Sequence, residues 1–284
     1  MNGFVYGDKY TPVSDIACER RRASNGAEGV EFKIESEESF VWERLRITDR
    51  RGASEIGRPI GRYDTLNIGS AHLLSEEDAD EAKNQIAKEL CSLTDELGIY
   101  PGKILVAGLG NEKLTADSVG PKCVSLVTVT RQLSKSGCED LFGEEYSEIS
   151  AIAPGVSQQS GIESVEIIEG IVKTVAPDLV IAVDSIATAS EERLGKCIQL
   201  CDTGIAPGSG VGGRRMLLNE RTLGVPVIAI GAPTVINSRL IASAESSDKK
   251  PREELFLSPR EIDAITDSFA EIIAGGINQA FGIF

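Results

Sequence analysis

The chain has 284 residues, of which 41% are apolar and 26% are charged, a composition typical of one large globular domain or two small ones. Its 44 acidic residues exceed its 29 basic residues, and the formal net charge of -15 opposes non-specific binding to nucleic acid or to anionic lipid. It contains no run of eighteen apolar residues and no N-terminal pattern typical of a secretory signal. We therefore expect a cytoplasmic protein without membrane or direct nucleic-acid partners.

The first part of the chain shows the alternation of apolar and polar residues that is typical of β-strands. Strands are predicted over 29–36 and 41–49, in an antiparallel arrangement. From Ser75 the apolar residues follow a helical period, and Gly98 marks the end of this helix. Residues 15–70 are thus expected to form a β-rich subregion.

Beyond this helix, short apolar strands alternate with helical segments. The predicted strands cover 103–110, 149–156, 179–186, 197–204 and 225–236, and the predicted helices cover 117–136, 160–177 and 258–284. Ser160 and Glu163 match a capping box, Ser258 is predicted to cap the last helix, and 242–254 reads as a polar linker or surface loop. This alternation indicates an α/β fold with a doubly wound, mainly parallel sheet, in a single domain over 15–284.

The six cysteines have no framework spacing, and we expect them to be reduced. Cys197 and Cys201 lie four residues apart on a predicted strand, which separates them by about 13 Å, too far to share one metal ion. Core packing is the favoured role for both cysteines.

The single histidine, His72, limits the possible chemistry. Zinc peptidases of the His-Glu-x-x-His kind are excluded, and a serine or cysteine nucleophile would depend on this one ring. A surface or helix-capping position is the favoured interpretation of His72. Acid and base chemistry would then fall to carboxylates. No cofactor and no metal is predicted, and any metal would need oxygen ligands.

Two aspartates lie where open α/β sheets bind their ligands, at the carboxyl ends of strands. Asp184 ends an apolar strand, where an acid needs hydrogen bonds or a charge partner. Asp117 follows the strand 103–110 at the start of a predicted helix. On spacing alone, capping of that helix is the more common role for such an aspartate.

A glycine-rich segment raises a second possibility for binding. Gly208, Gly210 and Gly213 satisfy Gly-x-Gly-x-x-Gly, but no acid follows about twenty residues later to bind a ribose, and no phosphate-binding Gly-Lys-Ser/Thr follows. The segment is either a mobile loop that needs positive φ angles or a substrate-binding loop. In the second case Arg214 and Arg215 could hold a carboxylate.

Five motifs in order, GLGNEKLTADSVGPK, APGVSQQSGIES, DLVIAVDSIATAS, DTGIAPGSGVGGRR and TLGVPVIAIGAPTVI, resemble the germination protease of spore-forming bacteria. The likeness covers most of residues 14–280. It implies a fold related to hydrogenase-maturation peptidases and an atypical endopeptidase that degrades small acid-soluble spore proteins in the forespore or spore core. It also implies a homotetramer and a zymogen with a short propeptide, here residues 1–14. The proposed catalytic aspartates of the family fall on Asp117 and Asp184.

These residues suggest an aspartate-pair mechanism. Two nearby carboxylates repel each other, so one pKa rises and that acid stays protonated while the other can deprotonate a water. Asp117, at a helix N-terminus, is the hypothetical base, and Asp184 is the acid. Processing is expected to leave a product that starts between Pro12 and Asp15. Two alternatives stay open: a non-catalytic relative that binds spore proteins, and a nucleotide-dependent enzyme.

Overall fold

The computed structural model describes residues 14–23, 28–37, 39–136, 146–206, 216–237 and 255–282. The strands are β1 Val30–Glu37, β2 Phe40–Ile47, β3 Gly61–Asn67, β4 Lys103–Gly108, β5 Glu148–Ile152, β6 Leu179–Thr188, β7 Cys197–Cys201, β8 Val227–Asn237 and β9 Phe256–Leu257. The helices are α1 Ala17–Ala23, α2 Arg50–Ile56, α3 Glu76–Leu97, α4 Val119–Leu126, α5 Arg131–Ser136, α6 Ser157–Ser160, α7 Ser164–Val175, α8 Glu220–Leu223 and α9 Ile262–Phe281.

All of these strands belong to one sheet, in the order β1-β2-β3-β7-β8-β6-β4-β5, with β9 beside β8. Strands β8, β6, β4 and β5 are parallel, and β1, β2, β3 and β7 are antiparallel to their neighbours. The predicted α/β class is confirmed. The β-rich N-terminal part continues the same sheet, because β3 pairs with β7, where Tyr63 lies opposite Cys201.

Helices cover both faces of the parallel strands, as a doubly wound sheet requires. On one face, Ile86 of α3, Val119 of α4 and Phe269 of α9 are buried in one apolar cluster with the sheet. On the opposite face, Ile168 of α7 packs with Leu105 of β4 in a second cluster. Successive apolar side chains of these strands point to opposite faces of the sheet, and helices bury both faces. The strand ends are then the places where polar groups can reach solvent or a ligand.

Two strands and one long helix follow the sequence predictions closely. β1 and β2 occupy the predicted segments, and α3 begins after Ser75 and ends at Gly98. The Ser75 hydroxyl accepts a hydrogen bond from the Asp78 N–H at 3.1 Å, and Gly98 adopts a left-handed φ of 68°. Local signals determine both ends of this helix.

The helix predicted over 117–136 is wrong in one respect, since the structure has two helices, α4 and α5. Between them, the Thr130 hydroxyl donates to the Ser147 carbonyl at 2.6 Å and accepts from the Ile149 N–H at 2.8 Å. The Thr130 N–H donates to the Ile149 carbonyl at 3.0 Å. These bonds to the start of β5 replace helical ones, and the β-branched residues 127–130 lower the cost of the break.

Two predicted helix starts lie three or four residues too early. The capping box consists of Glu163 and Glu166, not Ser160 and Glu163, because Gly161 adopts a left-handed conformation that ends α6. The last helix begins at Ile262 because residues 256–257 pair with β8 before the chain can turn into α9.

Several predicted features fall outside the described residues. These are the polar segment 242–254 and residues 1–13 of the predicted propeptide. In the part of the chain that is described, no helix is long and apolar enough to cross a bilayer.

Two carboxylates, Asp64 of β3 and Glu89 of α3, are buried together between the sheet and α3, with 1% and 3% exposure. Arg44 Nη1 lies 2.6 Å from Glu89 Oε2 and 3.5 Å from Asp64 Oδ2. Arg62 contacts both carboxylates, with Nη2 at 2.5 Å from Glu89 Oε1. Burial, reinforced by the negative charge of Glu89, raises the pKa of Asp64 to about 7.

This raised pKa gives stability a defined pH dependence. The folded protein keeps the Asp64 proton up to about pH 7, whereas an unfolded aspartate loses it at about pH 4. The stabilising contribution of Asp64 therefore falls as pH rises between these values. We expect Asp64→Asn to gain stability relative to the wild type from about pH 4.5 to about pH 7, and to gain no more above about pH 8. Urea unfolding of both proteins across this range measures the difference.

Asp49→Asn is the matched control. Asp49 caps α2, and its hydrogen bond from the Gly52 N–H lowers its pKa. The stability that it provides is lost only as pH falls below ~4, so its difference from the wild type stays constant from about pH 5 to about pH 8. A constant difference for Asp64→Asn over the same range would contradict the raised pKa.

Candidate functional site

Asp184 lies within β6, the strand at the centre of the parallel half of the sheet. The residue is 4% exposed, and its Oδ1 accepts a hydrogen bond from the Ser185 N–H at 2.9 Å. Ala182, two residues before Asp184, and Ile186, two residues after it, belong to two different apolar clusters. Gly231 lies opposite Asp184 on β8, so the neighbouring strand adds no side chain there. The carboxylate is thus a buried polar group between two apolar regions.

Asp117 ends a 3-10 turn, Thr115–Asp117, in the loop that follows β4. The Asn111 N–H donates to the Asp117 carbonyl at 2.8 Å and to Oδ2 of its carboxylate at 3.0 Å. Gly110 has a φ of 112°, and a Cβ there would lie 2.1 Å from the Asp117 carbonyl oxygen. Only glycine allows the loop to close on Asp117 in this way. Asp117 itself is half-buried.

The segments that carry the two aspartates pack directly on each other. The Leu109 N–H donates to the Val183 carbonyl at 2.7 Å, immediately before Asp184. A Cβ on Gly120, the second residue of α4, would lie 2.3 Å from the Leu109 carbonyl oxygen and 2.5 Å from that of Val183. β4 and β6 are parallel neighbours, so both predicted catalytic residues lie at the same carboxyl edge of the sheet.

A third loop reaches the same edge. Gln159 of α6 follows β5, and its Nε2 donates to Oδ1 of Asn111 at 2.7 Å. Asn111 therefore links the loop after β5 to the carboxylate of Asp117. Sequence reasoning did not single out Asn111, although it directly follows the paired glycines of the GLGN motif.

Comparison with known proteins assigns the family. A model of the germination protease family matches residues 13–247 of the chain. The chain belongs to this family. Among relatives, the germination protease of Caldanaerobacter subterraneus is 37% identical over 94% of this chain and 93% of its own length. Those of Clostridium perfringens and Bacillus cytotoxicus are 35% and 38% identical, over 95% and 83% of this chain and 95% and 66% of their own lengths. The resemblance predicted from the five motifs is confirmed.

The structural comparison gives weaker likenesses. A [NiFe] hydrogenase maturation protease, HycI from Thermococcus kodakarensis, aligns over 61% of this chain and 91% of its own, with 19% identity and a TM-score of 0.36. The hydrogenase maturating endopeptidase HybD from Escherichia coli aligns over 46% and 74%, with 14% identity and a TM-score of 0.26.

The predicted substrate-binding residues of this germination protease family member, Gly208, Gly210, Arg214 and Arg215, lie outside the described residues. The flanks of their segment are described. Ile205 and Leu218 pair through backbone hydrogen bonds of 3.0 and 2.8 Å, and both residues pack on the second apolar cluster, which contains Ala182 of β6. The segment therefore begins and ends on the face of the sheet to which Ala182 contributes.

Among the described residues, no group of three or more histidine, cysteine, aspartate or glutamate side chains could hold a metal ion. His72 lies in a 3-10 turn, Ala71–Leu73, and does not cap α3, because Ser75 has that role. Cys197 and Cys201 are free and buried on β7, which confirms core packing for both. Cys138 lies outside the described residues.

Proposed function

We propose that this protein is an endopeptidase that cleaves small acid-soluble spore proteins during germination, with Asp117 and Asp184 as its catalytic pair. Family membership supports the protease activity and its place in germination. The observation that carries the assignment of the pair is the packing of their two segments at one edge of the sheet, through the Leu109–Val183 hydrogen bond and Gly120.

The surroundings of the two aspartates favour different roles. Both aspartates accept a backbone N–H, Asp117 from Asn111 and Asp184 from Ser185. Asp117 is half-buried and lies two residues before α4, where the helix dipole favours an anion. Asp184 is almost fully buried, which favours the protonated form. Asp117 accepts a proton from a water whose oxygen bonds to the scissile carbonyl carbon. Asp184 donates its proton to the leaving nitrogen as the C–N bond breaks, and exchange with solvent restores both groups.

The charge of the chain agrees with a protein substrate. A net charge of -15 opposes direct binding to DNA, so recognition rests on the spore protein itself. No cofactor is needed for this hydrolysis. We further propose a cytoplasmic location in the forespore or spore core and assembly as a homotetramer.

We further propose that the protein is made as a zymogen whose cleavage point lies close to Ser14, the first described residue. Ser14 is 1% exposed, and its carbonyl accepts hydrogen bonds from Arg20 Nε at 2.7 Å and from Arg58 Nη2 at 3.2 Å. The Asp15 N–H donates to the Ala187 carbonyl at 2.8 Å. Ser14 and Asp15 therefore contact the folded domain, and we propose that cleavage occurs beside this anchor, so that the product starts between Pro12 and Asp15.

Intact-mass analysis tests the proposal. Purified protein incubated with a small acid-soluble spore protein is expected to yield a few discrete fragments, and mild acid is expected to yield a shortened chain that starts between Pro12 and Asp15. If a chain that lacks its first thirteen residues leaves the spore protein intact, the result would contradict the peptidase activity.

Two further measurements then distinguish the alternatives. Co-elution of the two intact proteins would identify a non-catalytic binding relative. A rise in melting temperature with a nucleotide would favour the nucleotide-dependent enzyme.

A further inference from the structure

A bulge in β8 lies beside the candidate site. β6 and β8 pair in register until Ile186 lies opposite Pro233, but Ala187 then lies opposite Val235, so Thr234 has no partner on β6. A bulge is rare in parallel strands and commonly redirects a side chain near an active site. The Thr234 hydroxyl donates to the Ala116 carbonyl at 2.6 Å, and Thr234 is fully buried. The extra residue thus ties β8 to the 3-10 turn that carries Asp117.

A second hydroxyl ties the same region to β6. The Ser185 N–H donates to Asp184 Oδ1, and the Ser185 hydroxyl accepts the N–H of Val119 at 3.3 Å. Val119 is the first residue of α4, which begins without a side-chain cap of its own. The hydroxyl of Ser118 is used elsewhere, as a donor to the Thr115 carbonyl at 2.8 Å. Ser185 therefore contacts the Asp184 carboxylate through its backbone and the α4 start through its side chain.

Two strands thus hold the segment 116–119 on both sides of Asp117. Thr234 binds the residue before it, and Ser185 binds the residue two positions after it. The close contact of Gly120 with the Leu109 and Val183 carbonyls shows that this segment has no room to shift toward the sheet. The hydrogen bonds of the two hydroxyls restrain the segment in the other direction, because each bond opposes movement of the segment away from the sheet.

We propose that the hydroxyl groups of Ser185 and Thr234 are positioning groups that hold the Asp117 segment in register with the strand that carries Asp184. The inference rests on the proposed function of the aspartate pair. Catalysis by two groups depends steeply on their relative position, and a misplacement of about 1 Å can reduce the rate about a hundredfold. Neither hydroxyl takes part in proton transfer.

The test compares variants that lose the hydroxyl with variants that keep it. Ser185→Ala and Thr234→Val are each expected to lower kcat on a small acid-soluble spore protein about tenfold or more, with KM within about twofold. Ser185→Thr and Thr234→Ser are expected to retain most of kcat. Ser125→Ala is the matched control, since its hydroxyl donates to the Lys122 carbonyl at 2.6 Å on the exposed side of α4, and it is expected to leave kcat unchanged.

Hydrogen exchange separates the positioning role from the proposed function. In Ser185→Ala the Val119 N–H loses its acceptor, so a peptide covering 115–122 is expected to exchange faster while a peptide within α3 stays unchanged. Unchanged exchange, or an equal loss of kcat in Ser185→Ala and Ser185→Thr, would overturn the proposal. If the wild type does not cleave, the peptidase proposal fails, and exchange alone decides whether the two hydroxyls hold the segment.

Discussion

Asp117→Asn and Asp184→Asn are each expected to lower kcat on a small acid-soluble spore protein by at least about a hundredfold while the protein stays folded. Asparagine keeps the size and hydrogen-bonding shape of aspartate but can neither accept the proton from water nor donate a carboxyl proton. The Asn111 N–H can still bond to the side-chain oxygen at position 117, so the loop is expected to keep its conformation. Fragment appearance by intact mass and circular dichroism measure the two effects.

The two aspartates are expected to act as a unit. The double variant should therefore lose little more activity than the more damaging single variant. Asp178→Asn is the matched control, because Asp178 also accepts a backbone N–H, from Lys103 at 2.8 Å, but lies at the opposite edge of the sheet, before β6. It is expected to retain full activity. Near wild-type cleavage by Asp184→Asn would contradict the pair mechanism.

The largest expected effect on stability is at Arg193. Its Nη2 lies 2.8 and 2.7 Å from the two carboxylate oxygens of Glu43 on β2, and its Nε lies 3.6 Å from Glu19 of α1. The three side chains are 5–8% exposed. Glu19 in turn accepts hydrogen bonds from the Thr188 hydroxyl at 2.6 Å and the Ala189 N–H at 2.7 Å. This cluster joins the N-terminal segment, the antiparallel strands and the end of β6.

Arg193→Ala is expected to lower the free energy of unfolding by about 3–5 kcal/mol, because it removes the buried cation that Glu19 and Glu43 share. Glu43 then keeps its pair with Arg22, which is largely exposed to solvent. Urea unfolding at neutral pH measures the loss. The matched control is Arg51→Ala, whose pair with Glu28 is 71% and 79% exposed, and it is expected to cost no more than about 1 kcal/mol. A loss below about 1 kcal/mol for Arg193→Ala would mean that the cluster contributes no net stability.

The parts of the fold that follow from local signals could be predicted from sequence. The ends of α3 depend on Ser75 and Gly98, which are adjacent to the helix, and the alternation in β1 and β2 reflects burial of one face. The prediction of one helix over 117–136 was wrong because Thr130 forms hydrogen bonds with Ser147 and Ile149, which lie beyond the helix in the sequence. The periodicity of apolar residues does not detect such contacts. β3 was missed because glycine and proline mark the stretch before it. Its partner strand β7 also lies 130 or more residues later in the chain, as the pair Asn67 and Cys197 shows.

The sequence by itself determined the family and the α/β class, and it placed Asp117 and Asp184 toward the carboxyl edge of the sheet. Each of these conclusions depends on short motifs or on strand patterns that are local in the chain. Only the tertiary structure decided how the Asp117 segment is held. The Thr234 hydroxyl reaches Ala116 because of a bulge, and a bulge exists only in the register between two strands. Arg193 and Glu43 lie 150 residues apart and meet only when the sheet has formed. Such contacts depend on the geometry of the assembled strands, which a pattern along one segment does not contain.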